Sequence, residues 1–366
     1  MASKLTNEEL VILHDVGYGD DVHRAATAVI RDGNSLLAQS RDPDVIIMPL
    51  ADALREIEFV QDLMFGLVAP DANDDIAMVA EHMHDPLGHF IWVKPGAKVR
   101  LPVQTFSLVE TPQSRQFTHD VTLIDEGAEV ELISGSAVPR RVHRGHHISI
   151  DEIYLRPNAK CRTVSIDHWG EAMETHSYGY TRLEEGAYSQ STTIKLSPVG
   201  QDTSRCETVL HDASTAISQT LIFAPEGTER VLETETRLLG GGAKSEDVTR
   251  MVAAGGRIVN DAKLIGEASG ATGFLGCDGL KLTEIGEISA TPALVAQAEN
   301  AHLSHEASVG MIDSEKLNYL MAMGIDEDAS RDLIIQGFLS LSDSSLPMGL
   351  RAKIVELISQ AKSGGM

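Results

Sequence analysis

The sequence predicts a mainly β protein, a parallel β-helix or solenoid flanked by helical regions, and three observations carry the prediction. A small-residue turn recurs along the chain, centred on Gly96, Gly127, Asn158, Gly186, Ala213, Gly242, Ala268 and Asn300, at intervals of 26 to 32 residues. Segments with apolar/polar alternation follow the turns, among them Val130-Glu131-Leu132-Ile133, Thr163-Val164-Ser165-Ile166-Asp167 and Thr193-Ile194-Lys195-Leu196, a period of two that belongs to strands. Towards both ends the alternation gives way to helical spacing. A repeat of this length is one coil that cannot bury its own apolar face and must stack on its neighbours.

The elements follow in order. Residues 1–87 read as helical, with Leu50, Leu54, Ile57, Phe59, Val60, Leu63 and Met64 predicting one amphipathic helix from Pro49 to Leu67. The coils occupy residues 88–312. Residues 313–366 form a helical C-terminal domain. Asp313 caps a first helix that Gly324 stops, and Asp326 caps a second whose first turn holds Glu327 and Asp328, the charge sign a helix N-terminus favours. A third helix is expected from Pro347 to Ala361, after the Ser/Asp-rich link at Ser340 to Ser345. The apolar face of Ala329, Leu333, Ile334 and Phe338 suits either a cover for the last coil or a surface for a partner.

Composition narrows function. Thirty Lys and Arg against fifty-four Asp and Glu give a formal charge of −24, which excludes a phosphate-backbone partner, because nucleic-acid binding rests on clustered Lys and Arg. Aromatic residues are 4%, too few for stacking platforms. Cys161, Cys206 and Cys277 form no CxxC pair and no disulfide framework, as expected in a reducing compartment. No apolar leader or membrane-length apolar run occurs, so a cytoplasmic protein without membrane contact is expected.

Several motifs invite chemistry. Gly240-Gly241-Gly242-Ala243-Lys244-Ser245 fails as a phosphate loop, since Ala243 and Leu238 stand where glycine is required; it reads as a solenoid turn. His143-Arg144-Gly145-His146-His147 and His82-Met83-His84 resemble small metal clusters but read better as surface loops. Cys161 and Cys206 fall in strand-like segments, where a free cysteine acts as a small buried hydrophobe. Cys277 differs, because Gly276 and Gly279 leave room for a bulky group. His305 and Glu306 lie 28 and 29 positions further on, one coil, or about 4.8 Å along the stack if the coils are in register. Alternation lets only one of the two face the Cys277 rung, and the spacing leaves a metal or catalytic role and a structural role both open.

The run from Leu303 to Ile312, then Leu317-Asn318-Tyr319-Leu320, Met323-Gly324-Ile325, Glu327-Asp328-Ala329 and Leu333 to Phe338, strongly resembles the C-terminal signature of the SufB/SufD family of iron–sulfur cluster assembly scaffolds. Phe90 to Ala97, Ile124 to Ala128 and Asp167-His168-Trp169 extend the resemblance, which covers residues 88 to 340. It implies a right-handed parallel β-helix and a non-catalytic scaffold that carries a transient iron–sulfur cluster. It also implies C-terminal helices that dock on the ABC-type ATPase SufC through Leu317, Leu320, Ile325, Ala329, Leu333, Ile334 and Phe338, with ATP bound only by that partner. Cys277, His305 and Glu306 match the ligand positions of SufB-type chains; SufD-type chains keep only the histidine. One thiolate per chain implies pairing with a second copy or a SufD-like paralogue, besides a sulfur donor and an iron source. Bacterial SufB chains carry a cysteine in a stretch similar to Ser134-Gly135-Ser136-Ala137-Val138-Pro139; this chain has none there, leaving the sulfur route open. Its shortened N-terminal region is similar to archaeal versions. The alternatives are a SufD-like structural partner with Cys277 silent, and a β-helix enzyme acting on acidic polysaccharide, which the composition disfavours.

Overall fold

The computed structural model of the chain describes residues 5–19 and 23–339. The chain opens with α1 (Asn7–Asp15), the strands β1 (Ala26–Arg31), β2 (Asn34–Ser40) and β3 (Val45–Pro49), and the short helices α2 (Leu50–Glu56), α3 (Val60–Leu63) and α4 (Asp74–Ala80). Eight coils follow, each contributing one strand to either of two sheets. They are β4 (His89–Val93) with β5 (Val103–Leu108), β6 (Arg115–Ile124) with β7 (Glu129–Ala137), β8 (Arg144–Leu155) with β9 (Lys160–His168), and β10 (Ala172–Leu183) with β11 (Tyr188–Lys195). The last four are β12 (Gln201–Leu210) with β13 (Thr215–Pro225), β14 (Glu229–Leu238) with β15 (Lys244–Ala254), β16 (Arg257–Gly266) with β17 (Thr272–Lys281), and β18 (Glu287–Ala296) with β19 (His302–Met311). Then come α5 (Ser314–Ala322) and α6 (Glu327–Phe338). The odd strands from β5 onward stack in parallel into one sheet and the even ones from β4 into the other, which is the predicted β-solenoid.

The turns supply the physical reason for the repeat. Gly96, Gly127, Asn158, Gly186, Ala213 and Gly242 all adopt left-handed backbone, the conformation glycine and asparagine tolerate best. Each donates its N–H to the next coil's turn, as from Gly96 to the Glu126 carbonyl at 2.8 Å and from Asn158 to the Glu185 carbonyl at 2.9 Å. The residue that follows is small and points inward: Ala97, Ala128, Ala159, Ala187 and Ala243 are buried, and so is the column Ile124, Leu155, Leu183, Leu210 and Leu238 before the turns. The seventh turn falls at Gly270, with φ +74, two residues beyond the expected Ala268. That shift evens the repeat, since Gly242 and Gly270 are 28 residues apart. The Gly240–Ala243 part of the glycine-rich run is a turn, as expected, and Lys244 and Ser245 open β15.

The N-terminal region corrects two expectations. Residues 26–49 hold strands, not helix: β1 and β2 form an antiparallel hairpin through Asp32-Gly33, and β1 also pairs in parallel with β5. The solenoid sheet therefore begins before residue 88. The single helix from Pro49 to Leu67 is two short ones, because Ile57 is extended and Phe65 takes φ +58. Bending lets Leu50, Ala53, Val60 and Leu63 all reach Phe90, Val121 and Tyr154 on the solenoid. The buried Glu152 carboxylate holds the bend by accepting the Phe65 and Leu67 N–H groups at 2.5 and 2.6 Å.

At the other end, Asp313 accepts from the Glu315 N–H at 2.8 Å and Asp326 from the Ala329 N–H at 2.9 Å, and Gly324 is left-handed at φ +90, so the two caps and the stop stand where expected. The third helix expected from Pro347 to Ala361 lies outside the described residues. Among the described residues no helix is long and apolar enough to cross a membrane.

Candidate functional site

β17 and β19 pair in parallel without a register shift, setting Leu275 opposite His305, Gly276 opposite Glu306 and Cys277 opposite Ala307. Leu275 and Leu303 pack in the interior of the solenoid, and Cys277 shares their face of the sheet by alternation. His305 is therefore on the Cys277 face, one strand away and two residues offset, while Glu306 is on the opposite face with Asp278 and Ser308, whose side chains share a 2.8 Å hydrogen bond. His305 and Glu306 are exposed, because β19 is the last strand of its sheet. Cys277 is 2% exposed. It sits among Ile222, Leu232, Met251 and Ile258, and the Asn260 side-chain amide donates to its Sγ at 3.4 Å.

Burial, reinforced by the charge of Asp247, pushes the Cys277 thiol up to about 11, against the opposing Asn260 hydrogen bond. The thiol is thus protonated near neutrality and needs an incoming metal ion to displace its proton. The buried Asn260 Oδ1 beside it has no hydrogen-bond partner, a polar group free to meet an incoming ligand. Cys277, His305 and Glu306 do not converge on one ion within a single chain; among the described residues the His/Cys/Asp/Glu group that does is elsewhere, at His146, Glu174 and His176.

The seven helical positions divide. Ile334 and Phe338 pack, with Ile335 and Leu339, against Leu280 and Val252 on the outer face of the solenoid. Leu317, Leu320 and Ile325 are half-buried, and Ala329 and Leu333 are exposed. Tyr319 and Met323, each 66% exposed, extend the exposed part. The helices thus serve as a cover on one side and leave apolar side chains free on the other.

Inside the solenoid lies a polar cavity of about 210 Å³, lined by Ser134, Asp120, His147, Lys195, Asp202 and Cys206 among others. Lys195 Nζ contacts Asp167 at 3.1 Å and both Asp202 oxygens at 3.2 Å, and Arg230 Nη1 contacts Asp202 at 2.6 Å. Arg230 is fully buried and also donates to the carbonyls of Ser197 and Phe223. Burial would raise the Asp202 carboxyl, but Lys195 and Arg230 outweigh it and hold it at about 2. Sequence reading missed this network, although its signal was present: Asp167 and Lys195, like Asp202 and Arg230, are 28 residues apart, the spacing that singled out Cys277 and His305. Cys161 is buried as expected, whereas Cys206 is exposed, because it borders the cavity. His146 and His147 stand in β8 rather than in a surface loop, pointing to opposite faces, while His82-Met83-His84 is exposed after α4.

With this geometry established, comparison with known proteins adds a family match and three relatives. A sequence model of the family described as "SUF system FeS cluster assembly, SufBD core domain" matches residues 107–338. An iron–sulfur cluster assembly SufBD family protein of Archaeoglobus fulgidus is 31% identical over 345 residues, covering 94% of this chain and 92% of its own. One from Methanothermobacter thermautotrophicus is 27% identical, covering 94% and 85%, and the iron–sulfur cluster assembly protein SufB of Bacillus subtilis is 23% identical, covering 88% and 70%.

Proposed function

This chain belongs to the SufBD family of the SUF iron–sulfur cluster assembly system, and from that premise we propose that it is a SufB-type scaffold whose cluster is built where two copies meet at their last coils. The membership supports a role in iron–sulfur cluster assembly. The observation that carries the finer reading is the open end of the solenoid. β19 ends one sheet and β18 ends the other, and an exposed strand edge is a template for another chain. Val309 and Met311, 45% and 54% exposed, and Ile285, 70% exposed, line that end. His305 and Glu306 are on it, and Cys277 is one rung inside.

Each copy then contributes one thiol, one imidazole and one carboxylate. Iron in such clusters prefers thiolate, with imidazole and carboxylate as substitutes, and a mixed set releases its cargo more readily than four thiolates. The scaffold is not itself a catalyst. A SufC-type ABC ATPase docks on the exposed side of α5 and α6, binds the ATP, and through those helices biases a two-state coil interface between closed and open. A sulfur donor and an iron source complete the set of partners, and the cytoplasm is the compartment. The direct test is anaerobic reconstitution with iron and sulfide of the wild type, Cys277→Ser and Glu306→Ala. Both variants should lose iron and visible absorbance, and unchanged spectra in both would refute the site. For the partner, co-elution with a SufC-type ATPase should be lost on truncation after Met311.

The burial of Cys277 favours a second reading, a SufD-like structural subunit in which the thiol is silent. Cluster retention by Cys277→Ser would select it.

A further inference from the structure

We propose that His146, Glu174 and His176 form a binding site for a divalent first-row transition ion of the Zn²⁺ or Co²⁺ type, on the outer face of the solenoid beneath α4 and separate from the Cys277 end. The ligand atoms come from adjacent strands: His146 in β8 is the rung partner of Glu174 in β10, with His176 two residues further along. One donor atom from each of the three lies within 4.8 Å of the others. The two imidazoles meet edge to face with centroids 5.5 Å apart.

Two further observations point to a ligand. The Nε2 atoms of His146 and His176 are both buried and have no hydrogen-bond partner, an arrangement that costs free energy unless something occupies the space between them. The Glu174 carboxylate, 3.6 Å from His176 Nε2, is too far for a hydrogen bond. The other nitrogen of His176, Nδ1, is hydrogen-bonded to the Asp75 carboxylate. That pairing puts the proton on Nδ1 and presents the Nε2 lone pair to the site, as the outer carboxylate does for metal-bound histidine. Asp75 is itself fixed by the Tyr178 hydroxyl at 2.6 Å and belongs to the first turn of α4. The ion would therefore tie α4 to the solenoid.

The donor set selects the ion. Two imidazoles and one carboxylate with an open fourth position suit Zn²⁺ and its neighbours, whereas Mg²⁺ and Ca²⁺ require more oxygen donors. Glu174 is 52% exposed in its side chain, so it can swing inward as the ion enters. Arg115, the rung neighbour of His146 in β6, is exposed, where solvent screens its charge.

The test uses untagged full-length Cys277→Ser protein in which the exposed Cys206 is also replaced by serine, so that neither thiol competes, titrated anaerobically with Co²⁺ and read by visible absorption and by metal analysis after gel filtration. One equivalent should bind with d–d bands, and Zn²⁺ should displace it. Glu174→Gln, at an exposed position that should not disturb folding, and His146→Ala should each weaken binding at least about 10-fold, and Asp75→Asn by about 10–100-fold. Zn²⁺ should raise the Tm of the Cys277→Ser protein but not that of its Glu174→Gln version. Absence of bound Co²⁺, or Co²⁺ affinity in Glu174→Gln and His146→Ala unchanged from that of the parent protein, would overturn the assignment.

Discussion

Replacing Asp202 by alanine removes the one carboxylate that bridges two buried cations. Asp202 is 1% exposed, Arg230 is fully buried, and the Lys195 side chain is 6% exposed. The carboxyl is held at about 2 against a reference of 3.8, and a difference of nearly two units corresponds to about 2.5 kcal/mol of stability near neutrality. The variant should lose more than that, because Arg230 is left with only the carbonyls of Ser197 and Phe223 and Lys195 only with Asp167. Stranding one side of a buried pair costs about 3–5 kcal/mol, which for a chain of this length lowers Tm by about 4–6 °C. Differential scanning calorimetry at pH 7 reads the shift, and Asp202→Asn, which keeps the shape, should lose most of the same amount. The carboxylate's contribution is present above pH 3.8 and is lost as pH falls through about 2, so the gap between wild type and variant should be undiminished from pH 5 to 8. A Tm within about 1 °C of wild type would mean instead that water in the cavity solvates both cations and that the Asp202 bridge adds little.

Ala213, exposed at φ +55, should gain about 1 kcal/mol on replacement by glycine, read as a higher urea midpoint; no gain would mean that the turn is unstrained. His147 is held down to about 4 by burial, so the unfolded chain binds a proton below pH 6.5 that the folded one refuses until about pH 4. Stability should fall by about 2 kcal/mol between pH 7 and 5 relative to His147→Gln, and parallel pH profiles would refute it. Cys277, pushed up to about 11, should react with iodoacetamide at pH 8 more than about 100-fold slower than a free thiol, measured by peptide mass spectrometry. A rate near that of free cysteine would place the thiol outside the buried position described.

Much of the fold was legible because each coil must present a left-handed residue and then a small inward one at the same corner. Gly127-Ala128 and Gly242-Ala243 therefore repeat as dipeptides. Ala268 misled because small residues crowd that corner, and only the backbone distinguishes it from Gly270. The hairpin at Asp32-Gly33 carried a turn signal and β-branched neighbours, yet helical spacing further along dominated the reading of the whole N-terminal region. The turn at Phe65 was not readable, since it depends on Glu152, 87 residues away, capturing the Phe65 and Leu67 backbone N–H groups. At the candidate site, alternation required His305 and Glu306 to diverge, and the register decides that His305 shares the Cys277 face. Which side of α6 turns inward was not legible: Ile334 and Phe338 serve the solenoid, while Leu333 remains exposed.

A cluster held between two copies of the chain has a stoichiometry that native mass spectrometry of anaerobically reconstituted protein reads. One iron–sulfur cluster per two chains is expected in the wild type and none in Cys277→Ser; a cluster carried by a single chain, or retained by Cys277→Ser, would rule out the shared site.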